Sequence, residues 1–193
     1  MKGVLKQHFM AIYLTRHGQT SNNQKQLFQG SKIDAPLTEL GQNQAKAVAN
    51  FLKDKDISHY WVSSMGRAVL TSQIINQELD LVPIYLDDLV EQDFGTFDGK
   101  SIQKCRELYP EFKTHNLENT YPLGENLINV IKRVQTIIKI AHSLEKSVLI
   151  TSHRMTTVAI ILSLFPTKNI ADCLIENNQC VVIDGQNIEI LSF

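Results

Sequence analysis

Short apolar runs closed by polar residues alternate along this chain with longer stretches in which apolar residues recur every three or four positions. The first rhythm is that of buried strands and the second that of helices with one inward face. Phe9 to Leu14 and Ser147 to Thr151 are the clearest strands, with His59 to Ser63 and Pro83 to Leu86 as further candidates. Cys180 to Asp184 and Ile188 to Leu191 flank Gly185-Gln186-Asn187 and read as a terminal hairpin. The longest helical pattern runs from Glu125 to Leu144, where Leu127, Val130, Val134, Ile138 and Ala141 belong to one stripe. Another starts near Thr38, whose hydroxyl suits a cap, with Ala45, Val48, Ala49 and Leu52 turned inward. Helices are also expected after Ser64 and after Arg154. Strands alternating with helices predict an α/β domain.

No repeat, low-complexity tract or Pro/Gly-rich linker divides the chain, so residues 1–193 read as a single domain. The stretch from Asp87 to Gly124 is aromatic and weakly periodic. It is expected either as a cap over a site or as a surface connection. Hydrophobic residues make up 43% and charged residues 20%, an ordinary globular composition. A net charge of −1 argues against a general nucleic-acid binder, so any affinity for anions must come from a local cluster of cations. Cys105, Cys173 and Cys180 are odd in number and lack a C-x-x-C spacing, which suits a reducing cytosol. Met1 to Met10 does not resemble a signal peptide, and the apolar run Val158 to Phe165 is too short to span a bilayer. A soluble, cytoplasmic protein without membrane contact is expected; its oligomeric state is not legible.

Three of the expected strands end in the same kind of residue. Ala11-Ile12-Tyr13-Leu14 leads into Thr15-Arg16-His17-Gly18, Tyr60-Trp61-Val62 into Ser63-Ser64-Met65-Gly66-Arg67, and Val148-Leu149-Ile150 into Thr151-Ser152-His153-Arg154. Ligands of open α/β sheets collect beyond the carboxyl ends of the strands. Parallel neighbouring strands would therefore bring Arg16, His17, Arg67 and His153 together, with Arg154 beside them. Guanidinium forks bind phosphate oxygens in pairs, and the same groups stabilise the charge of phosphoryl transfer. Taken singly, each of these residues is more often a structural or surface residue.

Leu14-Thr15-Arg16-His17-Gly18-Gln19-Thr20, followed by Asn23, resembles the signature of the histidine phosphatase superfamily, the phosphoglycerate mutase-like proteins. Gly30 to Gly41, Ser63 to Ala68, Leu89 to Gly99, Pro122 to Asn126 and Thr151 to His153 resemble further segments of that family, in family order. The resemblance implies a three-layer α/β sandwich with a mostly parallel sheet and helices on both faces. It implies His17 as a nucleophile that forms a phosphohistidine, with Arg16, Arg67 and His153 holding the phosphoryl oxygens. Glu91 would protonate the leaving group, with Asp93 and Asp98 as alternatives. Asn23 and the backbone near Gly30 would shape the phosphate pocket, and no metal or other cofactor is required. His8, His59, His115 and His142 match no motif and show no metal-ligand spacing; they read as structural or surface residues.

Two departures from the family pattern matter. Glycine usually follows the second histidine, and here Arg154 stands there, either to bind a second anionic group of the substrate or to crowd the pocket. Mutases of the family carry Glu-Arg where this chain has Glu91-Gln92, which favours hydrolysis. The expected function is that of a metal-independent phosphatase acting on a small phosphorylated metabolite. The alternatives are a phosphoglycerate mutase, a protein phosphohistidine phosphatase and a catalytically silent phospho-ligand-binding module.

Overall fold

The computed structural model describes residues 10–193. Phe9, at the head of the first expected strand, lies outside the described residues, as do His8 and the N-terminal segment read above for a leader. The elements run β1 (Ala11–Arg16), α1 (Ser21–Gln24), α2 (Glu39–Leu52), β2 (Ile57–Ser63), α3 (Gly66–Leu79), β3 (Pro83–Leu86) and α4 (Ile102–Leu108). They continue with α5 (Leu127–His142), β4 (Ser147–Ser152), α6 (Arg154–Leu164), β5 (Gln179–Asp184) and β6 (Asn187–Ser192). Thr38 caps α2 through a bond from the Gly41 N–H, as its position foretold. The expected start of α5 at Glu125 moves to Leu127, because the Asn126 side chain accepts the Asn129 N–H and so sits outside the helix as its cap.

One six-stranded sheet has the order β3-β2-β4-β1-β5-β6. Pairings β2–β3, β2–β4 and β1–β4 are parallel, and β5 and β6 add an antiparallel edge. Alternation along the strands sorts the core into two layers. Val148 and Ile150 of β4 point into one, with Val130, Val134 and Ile138 of α5 and Val158 of α6. Leu149 points into the other, with Val48 and Leu52 of α2 and Ile75 of α3. The result is the α/β sandwich expected, with helices on both faces. Helix α6 is buried on nearly every side from Met155 to Leu162, which is why its sequence is apolar all round rather than striped. Among the described residues no helix is long and apolar enough to cross a membrane.

The aromatic residues of the stretch after β3 are packed, not strewn over the surface. Phe94, Phe97, Phe112 and Tyr121 gather with Phe28 in edge-to-face and stacked pairs whose ring centroids lie 4.4 to 6.0 Å apart. Aromatic contacts of this kind add to the burial of each ring. They fasten the stretch to the loop that follows α1, above the carboxyl ends of the strands.

Candidate active site

The parallel register decides which side chains meet. Arg16 of β1 lies opposite Ser152 of β4, so His17 and His153 leave adjacent strands at the same level. The His17 N–H extends the ladder by one bond, to the Ser152 carbonyl at 2.9 Å. Strand β2 is registered on the other side of β4, with Val62 opposite Thr151, and it delivers Ser63 and then Arg67 in the first turn of α3. The two histidine rings stand 5.2 Å apart, centroid to centroid, and both are buried.

The hydrogen bond to a backbone carbonyl fixes the His17 tautomer. His17 Nδ1 lies 2.8 Å from the Gly18 carbonyl oxygen. A carbonyl only accepts, so Nδ1 carries the hydrogen and Nε2 holds the lone pair. Arg67 donates its Nε–H to that Nε2 at 3.2 Å. Burial, followed by the charges of Arg67 and Arg16, holds the His17 pKa well below the usual histidine range. The ring is therefore neutral, with one unprotonated nitrogen. His153 Nε2 lies 2.8 Å from Ser63 Oγ, which also accepts the Met65 N–H. The serine hydroxyl can give its hydrogen to Nε2 or accept one from it, and His153 Nδ1 is buried without a protein partner. Burial and the Arg67 charge keep this histidine neutral too.

The guanidinium groups differ in what they have left to give. Every N–H of Arg67 has a protein acceptor: His17, the carbonyls of Gln29, Gly30 and Ile33, and the Asp34 carboxylate. Arg16 is the opposite case. Its Nη1 reaches Glu176 at 3.4 Å, while its Nε is buried without a partner. Burial, then the neighbouring Arg154 charge, lowers the Arg16 pKa to about 9. Buried donors without acceptors cost about 1–3 kcal/mol each. Arg16 Nε is such a donor, and an anion would satisfy it.

Glu91 lines a cavity of about 80 Å³ together with Arg16, His17, Asn23, Arg106, His115 and Arg154. Its Oε1 accepts the N–H groups of Gln92, Met155 and Thr156 at 2.9, 3.1 and 3.3 Å, the last two from the first turn of α6. A helix N-terminus is a natural seat for a carboxylate. Asp93 and Asp98, the alternatives to Glu91, are not in the cavity wall. Asp93 pairs with Lys32 at 2.8 Å, and Asp98 accepts the Gly30 N–H at 2.7 Å.

The remaining expected residues divide. Asn23 does line the cavity, and its Oδ1 is also spent in a capping box with Thr20, which leaves Nδ2 to a ligand. Gly30 stands behind the cavity wall and holds Arg67; a Cβ there would lie 2.6 Å from the Gln92 carbonyl oxygen. Gly18 lets the backbone pass close to α2, since a Cβ on it would land against the Gly41 carbonyl. His115, read as structural or surface, is in the cavity wall.

A sequence profile of the histidine phosphatase superfamily (branch 1) matches residues 12–188. The chain belongs to that superfamily. It is 32% identical over 143 residues to the uncharacterized phosphatase PhoE of Bacillus subtilis, covering 74% of this chain and 71% of PhoE. It is 32% identical over 133 residues to the fructose-2,6-bisphosphatase TIGAR B of Danio rerio, covering 67% of this chain and 52% of that protein. The match therefore spans only about half the length of the latter relative. Among solved structures, Bacillus stearothermophilus YhfR superposes with a TM-score of 0.77 at 25% identity, over 95% of this chain and 96% of its own. The mycobacterial glucosyl-3-phosphoglycerate phosphatase Rv2419c shares the fold, with a TM-score of 0.81 at 20% identity over 95% and 98% of the two chains.

Sequence reading missed the supports of the family's signature residues. Asn177 donates its side-chain N–H to the His17 carbonyl at 2.7 Å, and Glu176 bridges Arg16 and Arg154. Arg133 of α5 donates to the Asp88 and Glu91 carbonyls at 2.6 and 3.2 Å and pairs with Glu125. None of these carries a strand-end signal, because their partners are distant in sequence.

Proposed function

We propose that this protein hydrolyses a small phosphomonoester through a phosphohistidine on His17, with Glu91 as the proton donor. The observation that carries the reading is the single unprotonated nitrogen of a neutral, buried His17 at the cavity wall. The His17 Nε2 lone pair attacks phosphorus, and the bond from phosphorus to the ester oxygen breaks as that oxygen takes a proton from Glu91. Arg67 Nε–H, which rests on the lone pair in the free protein, is released at that moment to a phosphoryl oxygen. Arg16 Nε and His153 Nδ1 supply further donors to the same oxygens. Water then attacks phosphorus and yields its proton to Glu91, and the N–P bond breaks with the lone pair returning to Nε2. Segment 87–124 acts as the cap, contributing Phe94, Ile102, Arg106 and His115 to the cavity wall.

Hydrolysis of p-nitrophenyl phosphate in excess EDTA, with wild type beside His17→Ala, tests this scheme. Turnover that persists in EDTA and drops by about 10³-fold or more in the variant is expected. Turnover abolished by EDTA, or retained by the variant, would overturn it.

A further inference from the structure

We propose that the cavity contains a second anion site, made by Arg106, His115 and Arg154, so that the favoured ester carries another anionic group beside its phosphoryl group. The inference rests on the phosphatase reading above and narrows its substrate class. Arg106 comes from α4, His115 from the segment after it, and Arg154 from the first residue of α6, yet all three line the same cavity as His17 and Glu91. None of the three is needed for the phosphoryl group, which Arg16, Arg67 and His153 already serve.

These residues are short of negative charge. Among the described residues no carboxylate pairs with Arg106, and its Nε is buried without a partner, so bulk water does not satisfy it either. Arg154 donates Nε to the Ile175 carbonyl at 3.4 Å and Nη2 to Glu176, which fixes its plane and leaves Nη1 without a protein acceptor. Glu176 is shared with Arg16 and largely exposed, so one screened carboxylate serves two guanidinium groups. Burial, then the Arg106 and Arg154 charges, pushes the His115 pKa down to about 4, which fits a ring set close to both guanidinium groups. A carboxylate or second phosphate beside the scissile group would meet both guanidinium groups and the His115 ring. The small cavity requires the two anionic groups to be close together.

The test compares kcat/KM for glycerol phosphate, phosphoglycerate and propanediol bisphosphate, which offer no second anion, a carboxylate and a phosphate. Wild type is expected to favour at least one of the two doubly anionic esters by about tenfold or more. The better of the two names the group preferred. In Arg106→Leu and in Arg154→Gly that ratio is expected to fall towards one, whatever happens to the absolute rates. Arg154 lies near the surface, so its variant keeps the test open if Arg106→Leu does not fold. Equal kcat/KM for all three compounds in wild type, or a ratio that survives both substitutions, overturns the second site and leaves the phosphatase reading intact. If wild type hydrolyses none of them, nor p-nitrophenyl phosphate, the phosphatase reading falls. Calorimetric Kd values for the same three compounds then decide the site by the same ratio.

Discussion

His17 is readied for its proposed attack by what its neighbours take and refuse. The Gly18 carbonyl takes the Nδ1 hydrogen, and burial with the cations around the ring refuses a second proton, so Nε2 is left unprotonated in the free protein. Glu91 is the proposed proton donor, and that part can be tested by leaving group. Glu91→Gln is expected to slow hydrolysis of an alkyl phosphate by about 10²–10³-fold. With p-nitrophenyl phosphate the loss should be much smaller, because nitrophenolate departs without a proton. Equal losses on both esters would assign Glu91 to binding instead. Arg154, the residue in glycine's usual place, neither fills the cavity floor nor points away from it; Glu176 and the Ile175 carbonyl hold it in the wall.

Between elements, the site depends on close approaches that permit no extra atoms. Gly18 and Gly41 let the end of β1 and the start of α2 touch backbone to backbone, and a Cβ on Gly18 would strike the Gly41 carbonyl. Gly18→Ala is therefore expected to destabilise the protein by about 1–3 kcal/mol or more, read as a lower urea midpoint at unchanged m. An unchanged midpoint would mean that α2 shifts at little cost. The acid segment is fastened as tightly from other elements. Ser152 Oγ donates to the Leu89 carbonyl at 2.7 Å, Thr156 Oγ1 to the Val90 carbonyl at 2.6 Å, and Arg133 to the Asp88 and Glu91 carbonyls. Helix α6 thus delivers Arg154 and seats the Glu91 carboxylate with one turn of backbone.

Over the whole molecule, two buried histidines and the half-buried His115, all with lowered pKa values, couple folding to pH. His17 and His153 have native pKa values well below 6.5, and His115 sits at about 4. Below the ordinary value the unfolded chain binds protons that the native state does not, so the stability is present above that value and lost as pH falls. For His115 the loss spans pH 6.5 down to about 4; for the other two it continues lower. Urea midpoints at pH 7 and pH 5 should show the drop. Inorganic phosphate should reduce it, since an anion bound beside these histidines raises their native pKa values towards the unfolded one. A flat profile would mean that these histidines are protonated in the native state.

The sequence by itself determined the elements and the cluster of cations and histidines at the strand ends. Periodicity marks helices and strands because burial is local to each face, so the β1 and β4 runs, the Thr38 cap and the α5 stripe were all legible. Strand-end positions with a shared chemistry marked Arg16, His17, Arg67 and His153, since parallel strands must end together. What only the tertiary structure decided is everything that depends on partners far along the chain. The α5 boundary moved to the Asn126 cap, and the aromatic stretch closed on Phe28. Gly18 proved to serve the Gly41 backbone, and His115 joined Arg106 and Arg154 in one wall. Such contacts arise from how loops fold over the sheet, and loops follow no period from which their neighbours can be read.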